Sequence, residues 1–340
     1  MQRSVVIRAD GGHAIGTGHL SRTLHLADRL AESGEQVTFV SRSPDGAAAL
    51  CEQRGHALIL LPPISEGSGA QAASAISALE PGLIINDIRN TPEEYMHALR
   101  SSGAAIVNFD DRGAGAPLAD VLVDANRPAQ EAGSIAGPRA YFGPDYMVLD
   151  EVFEQAHRLP KGVRDRVEEV VVFMGGSDPA GLTLGALRAI ELLEPDWHTT
   201  VLLGYGYEDH AKASAQAAKC RNVDLVAGPD NPAVHMQAAD MALCSGGIVM
   251  FELACVGTPS MVCCQVAHEL DNARRFVEWG AIQCLGFGDA CRSQDMADAL
   301  RSLADDGAAR RAMSDAGKRV VDGRGLNRVM EVVETCVQQS

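Results

Sequence analysis

No apolar run in the 340 residues approaches the roughly 20 needed to cross a bilayer, and the N-terminus MQRSVVIRAD has neither the apolar core nor the cleavage site of a signal peptide. The expectation is a cytoplasmic protein. Basic residues are in the minority: 29 Lys and Arg face 45 Asp and Glu, a formal net charge of −16. Such a chain is a poor partner for nucleic acid or an anionic membrane, because both need clustered positive charge. Any phosphate site must therefore be local. Nine cysteines, an odd number, show no CxxC spacing, and Cys255, Cys263 and Cys264 lie in apolar context. Neither a disulfide framework nor a zinc site is expected, His198 and His210 have no ligand partner at suitable spacing, and no metal or cofactor is implied. Dinucleotide (GxGxxG) and P-loop fingerprints are missing too, and no tandem repeat is visible.

What is present is a repeated strand, glycine turn and helix. Ser4–Ile7 is a β-branched run, Leu24, Leu26, Ala27 and Leu30 have helical spacing, and the loop between them, in IRADGGHAIGTGHLSR, carries Gly11, Gly12, Gly16 and Gly18 and delivers His19 to the helix start. Free N–H groups at a helix start favour an anion, so the segment reads either as a phosphate or sugar contact or as a plain structural turn. The same dipole disfavours an imidazolium, which predicts a neutral His19 able to accept a proton near pH 7.

Strand-like runs at 36–40, 58–61, 83–86, 105–109 and 121–123 alternate with amphipathic stretches, and a second series follows at 170–173, 199–203, 223–226, 241–244 and 260–264. Alternation of this kind predicts parallel sheets. The charged stretch from Gly143 to Glu169, with Pro160 and Gly162, has linker composition, which places a domain boundary near Lys161 and divides the chain into 1–160 and 161–340. Two Rossmann-like domains facing a central cleft are expected, with the glycine turns at the carboxyl ends of their strands.

Several strand ends carry candidates with two readings each. In FMGGSDPAGLT, Gly175, Gly176, Ser177 and Asp178 either line a ligand site or cap a helix that Pro179 begins. In CSGGIVMFELACVGTPSM, Ser245, Gly246 and Gly247 open a helix suited to a diphosphate. Glu252 lies in an apolar stretch where it must bind ligand, pair internally or face solvent. Asp10, NDI (86–88) and NFDDRG (108–113) end strands with carboxylates. Asp10 is preferred for chemistry because it shares a loop with His19, whereas Asp110, Asp111 and Arg112 read as a self-satisfied surface cluster. His268, Glu269, Asp271 and Asn272 either contact a sugar or simply begin a helix.

Together these segments resemble the UDP-sugar hydrolase family of pseudaminic acid biosynthesis and its relatives in spore-coat polysaccharide biosynthesis, proteins of the GT-B type. IRADGGHAIGTGHLSR is similar to the family's R-x-D-x-x-x-x-I-G-x-G-H-x-x-R, VFMGGSDPAGLT to its FGGSDPxNLT, and SGGIVMFELACVGTPS to its GGSxxxE-x-x-x-x-G-x-P-S. The resemblance implies His19 as catalytic base, and the shared loop adds Asp10 as a second catalytic candidate. The resemblance also implies that Gly16 and Gly18 shape the loop around the sugar and that Gly246, Gly247 and Glu252 hold the uridine diphosphate; Arg22, Gly176, Ser177, Ser245, His268, Glu269 and Asn272 are further candidate substrate contacts from the reading of the chain itself. The chain departs from the pattern in having His268-Glu269 for Asn-Gln, Ile248 for serine, and YMVLD (146–150) for Tyr-Ala-Leu-Leu-Arg, which leaves the sugar open. The implied reaction is attack of water on C1 of a UDP-activated amino sugar, with inversion and release of UDP. A glycosyltransferase using the same residues on an acceptor hydroxyl is the alternative, and a noncatalytic nucleotide-sugar-binding module is a third reading.

Overall fold

The computed structural model describes residues 3–11, 18–62, 68–288 and 291–339. Its chain divides into two compact units, Met1–Val148 with Arg324–Ser340, and Leu149–Gly323.

The first unit is built on strands β1 (Ser4–Ala9), β2 (Gln36–Ser41), β3 (Ala57–Leu60), β4 (Leu83–Asp87), β5 (Ala105–Phe109), β6 (Val121–Asp124) and β7 (Arg139–Phe142). All pairings are parallel, in the order β3-β2-β1-β4-β5-β6-β7. The sequence explains why: β1, β4 and β5 are apolar at successive positions and so can be covered on both faces. Val5, Ile7, Leu83 and Ile85 pack into one core and Val6, Ile84 and Ile106 into another, the two-residue alternation of a pleated strand.

The second unit holds β8 (Glu169–Phe173), β9 (His198–Leu203), β10 (Val223–Ala227), β11 (Met241–Ser245), β12 (Ser260–Cys264) and β13 (Ile282–Phe287), also all parallel, in the order β10-β9-β8-β11-β12-β13. β7 and β13 are the two strands not anticipated from the sequence; Arg139–Phe142 and Ile282–Phe287 are only partly buried and lack the continuous apolar run that marks the others. Each sheet reverses direction once, between β1 and β4 in the first unit and between β8 and β11 in the second. Open α/β sheets bind ligands beyond the strand ends at such switch points.

The boundary falls twelve residues before the expected Lys161, and the chain's end returns to the first unit. Both differences come from burial. The Gly325–Gln338 helix places Leu326, Val329, Met330 and Val333 in the same core as Val148 and β1. The charged stretch read as a linker is instead part of the second unit: Phe153 and Ala156 of the Glu151–Arg158 helix are buried, His157 Nδ1 meets the Cys255 carbonyl at 2.9 Å, and the Lys161 ammonium donates to the carbonyls of Met236, Gln237 and Ala239. No helix among the described residues is long and apolar enough to cross a membrane.

Candidate active site

β1 and β4 end at the switch point of the first sheet, and the chain leaving β1 enters the Gly18–Glu32 helix, whose second residue is His19. His19 and Arg22 stand one turn apart, so both reach the same ground. That ground is Asp87, the last residue of β4. His19 Nδ1 lies 2.7 Å from Asp87 Oδ1, and Arg22 closes a two-pronged contact, Nε on Oδ2 and Nη2 on Oδ1, both at 2.5 Å. The remaining arm of Arg22 donates from Nη1 to Asp110 Oδ2 at 2.7 Å, and the guanidinium lies over the Phe109 ring, 5.6 Å from its centre. Asn126 also donates to Asp110, while Asp110 Oδ1 is enclosed and has no donor among the described residues.

Burial disfavours charge on Asp87, but Arg22 and then His19 outweigh it and hold the carboxyl down at about 2. Arg22 stays protonated because Asp110 and Asp87 more than offset the cost of its burial. His19 shifts upward, chiefly through the Asp87 charge, against burial and the opposing charge of Arg22. This corrects the expectation of a dipole-neutralised histidine: a carboxylate at 2.7 Å outweighs a helix terminus. An ionised Asp87 can only accept, so it fixes the hydrogen on Nδ1 and leaves the lone pair of neutral His19 on Nε2, for which no partner exists among the described residues. Behind this group, Asp124 at the end of β6 is pushed up to about 7 by burial and by its neighbour Asp110.

The carboxylate on His19 is thus Asp87, not Asp10. Asp10 is taken up by Arg8 (both oxygens at 2.6 Å), the Arg42 backbone N–H at 2.7 Å and the Ser41 hydroxyl at 3.2 Å; its carboxyl is held low because Arg8 and these donors overcome burial. Arg22, expected on substrate, is 5 % exposed and spent on Asp87 and Asp110. Asp110 and Asp111 are buried rather than a surface cluster, and Asp111 holds the Thr91 and Gly113 backbones. Gly18 is the first helical residue; Gly16 lies outside the described residues.

In the second unit the turns after β8 and β11 are neighbours. A Cβ on Gly175, which has φ +87°, would stand 3.3 Å from Ser245 Oγ, and one on Gly204 would collide with Gly176 at 2.5 Å. Gly206 N–H donates to the Gly176 carbonyl at 2.8 Å. Ser177 is buried, and Asp178 rather than Ser177 caps the following helix, accepting from the N–H groups of Leu182 (2.9 Å) and Thr183 (2.7 Å); that helix begins at Leu182, after Pro179. The Ser245-Gly246-Gly247 turn leads into the helix Ile248–Val256. Glu252 is half-buried in it, its Oε2 enclosed with no donor among the described residues, and burial, helped by Asp150, pushes its carboxyl up to about 8.

His268 and Glu269 part company. Both begin the Glu269–Glu278 helix, but His268 is exposed whereas Glu269 turns in toward Gly246, accepting from the Gln265 N–H at 2.7 Å. Asn272 is buried and takes a hydrogen bond from Arg275 on its own helix. Sequence reasoning missed Asp87 as the partner of His19 and Asp110 as the partner of Arg22. The available signal was their position at the ends of β4 and β5, beside the switch point.

No protein-family model matches the chain. The spore coat polysaccharide biosynthesis protein SpsG of Bacillus subtilis is similar at 26 % identity, over 98 % of this chain and 99 % of that protein. Among solved structures, MurG of Acinetobacter baumannii matches with a TM-score of 0.68 at 14 % identity, covering 98 % of this chain and all of that one. A UDP-GlcNAc 2-epimerase from Neisseria meningitidis, solved with UDP-GlcNAc, matches with a TM-score of 0.64 at 11 % identity, again over 98 % and 100 %. Two parallel-sheet α/β units and these neighbours make the fold that of the GT-B glycosyltransferases.

Proposed function

We propose that the protein is a nucleotide-sugar enzyme in which His19 deprotonates an acceptor hydroxyl that attacks the anomeric carbon of a UDP-sugar. The observation that carries this reading is the His19–Asp87 pair, locked by buried Arg22 at the switch point of the first sheet, with Nε2 left to accept a proton. Likeness along the whole chain to SpsG, together with a fold shared with transferases and epimerases of sugar nucleotides, supports the substrate class.

In this reaction the hydroxyl proton passes to Nε2, the oxygen forms its bond to C1, and the C1–O bond to the diphosphate breaks with its electron pair leaving on UDP. Attack opposite the leaving group inverts C1. Asp87 stabilises the imidazolium as it forms, worth about 10²–10⁴-fold as general-base catalysis. In the second unit, taken by itself, the helix-start N–H groups of the Ser245-Gly246-Gly247 turn suit the charge of a diphosphate, and the Glu252 carboxyl suits ribose hydroxyls.

Hydrolysis of the UDP-sugar is the second reading, with water in place of the acceptor, favoured by the similarity of IRADGGHAIGTGHLSR and VFMGGSDPAGLT to the hydrolase motifs. Proton NMR of a panel of UDP-sugars separates the two. UDP release that requires an added acceptor supports transfer, and UDP plus free sugar from the UDP-sugar alone supports hydrolysis. Conversion of one UDP-sugar into another without net UDP release would overturn both.

A further inference from the structure

Glu269 sits where an anion should. Gly246 can approach it only because it has no side chain: a Cβ there would lie 3.0 Å from Glu269 Cβ, 3.1 Å from Glu269 Oε2 and 3.0 Å from Cys264 Sγ. At Gly247 a Cβ would lie 3.4 Å from Glu269 Oε1. Both carboxylate oxygens thus stand against the Gly246–Gly247 turn, and Oε2 accepts from the Gln265 backbone N–H at 2.7 Å. It therefore fills an anion-binding turn with a charge belonging to the chain itself, on the helix that follows β12.

We infer that Glu269 is a built-in competitor for the diphosphate, occupying the Gly246–Gly247 turn in the free protein and yielding it when a nucleoside diphosphate binds. This rests on the reading of that turn as the diphosphate site. Two anions cannot stand against one turn at contact distance, so the carboxylate must either swing out or take up a proton. Burial already moves Glu269 toward the protonated form, against the pull of the backbone beside it. Among the described residues its titratable neighbours offer no counter-charge: Cys244 on β11 is a thiol pushed further toward the neutral form by burial, and Cys264 on β12 is one pushed the same way by hydrogen bonding with the free Cys284 thiol and by burial. On its own helix Asp271 and Arg274 pair with each other. Protonation is the route that burial favours, so diphosphate binding is coupled to loss of the Glu269 charge and affinity falls as pH rises.

Titration calorimetry with UDP tests this on the full chain, in buffers of different ionisation enthalpy and at several pH values, for the wild type and Glu269→Gln. The wild type is expected to take up a proton on binding, with affinity falling by up to about tenfold per pH unit relative to the variant. The comparison cancels the titration of UDP itself. Glu269→Gln is expected to bind about tenfold tighter at pH 8 with no uptake attributable to the protein. Equal affinities and equal proton counts would overturn the competitor role while leaving the nucleotide site in place. Absence of UDP binding to both folded proteins at every pH would instead overturn the nucleotide reading, and this inference with it.

Discussion

The two switch points solve opposite problems with opposite materials. In the first unit charge is met by charge: Asp87, Arg22 and Asp110 are buried side chains that neutralise one another and hold one histidine at a set angle. In the second unit charge is met by backbone: glycines let the turns after β8 and β11 approach closely, and a single carboxylate, Glu269, stands against the second turn, held by the Gln265 N–H with no cation against it among the described residues. Buried ion networks tolerate little loss of a member, because the abandoned partner keeps its desolvation cost. A backbone turn loses almost nothing when one side chain leaves. The first arrangement suits a group that must stay in place during bond breaking, the second a site that must exchange one anion for another.

The largest expected effect breaks the first arrangement at its tip. His19→Asn should lower turnover by about 10²–10⁴-fold while UDP affinity by calorimetry stays unchanged, since the base acts in the transition state; full activity in the variant would remove His19 from the chemistry. Next, Arg22→Leu should destabilise folding by about 3–5 kcal/mol in urea denaturation, because Asp87 and Asp110 lose their shared cation. A loss under 1 kcal/mol would show that the network is not carrying the buried charge.

Asp87→Asn sharpens the comparison through pH. Asp87 raises His19 above its ordinary 6.5, so kcat/KM should climb with pH and level off only once His19 has lost its proton. With Asn at 87 the whole climb should move to lower pH, accompanied by a rate loss of roughly 10²-fold or more from misorientation of the ring. An unmoved profile would assign the titration to another group.

Smaller effects are expected in the second unit. Near pH 7 the Glu252 carboxyl, pushed up to about 8, is largely uncharged, so Glu252→Gln should weaken UDP binding by only about 0.5–1.5 kcal/mol. Its stability signature has a definite sign. A carboxyl raised from 4.5 to about 8 stabilises the folded state below 4.5, and that contribution is lost as pH rises through about 8. Thermal melts should therefore fall less steeply with rising pH in Glu252→Gln than in the wild type, and identical slopes would mean that Glu252 ionises freely. Smallest of all, the exposed His268→Ala should leave stability within about 0.5 kcal/mol and UDP affinity unchanged. A change in relative kcat/KM among UDP-sugars would restore His268 to the sugar site.

Much of this molecule is written in local pattern. Largely apolar, β-branched runs bounded by glycine and polar residues mark eleven of the thirteen strands, because the central strands of a parallel sheet are covered on both faces. The glycine turns, His19 at a helix start and a helix opening after Gly247 are legible for the same reason, since each depends on residues close in the chain. Choice of partner is not. Asp10, nine residues from His19, turns to Arg8, whereas Asp87, 68 residues away, meets His19 because β1 and β4 lie side by side. Glu269 faces the Gly246 turn because β11 and β12 are adjacent, and the last helix joins the first unit because Val329 and Val333 complete a core begun at Val5. Sequence alone marks the segments whose apolar runs make burial a property of the segment; strand order and long-range packing decide which charges meet, because a carboxylate at a strand end can pair only with what the neighbouring strands bring to it.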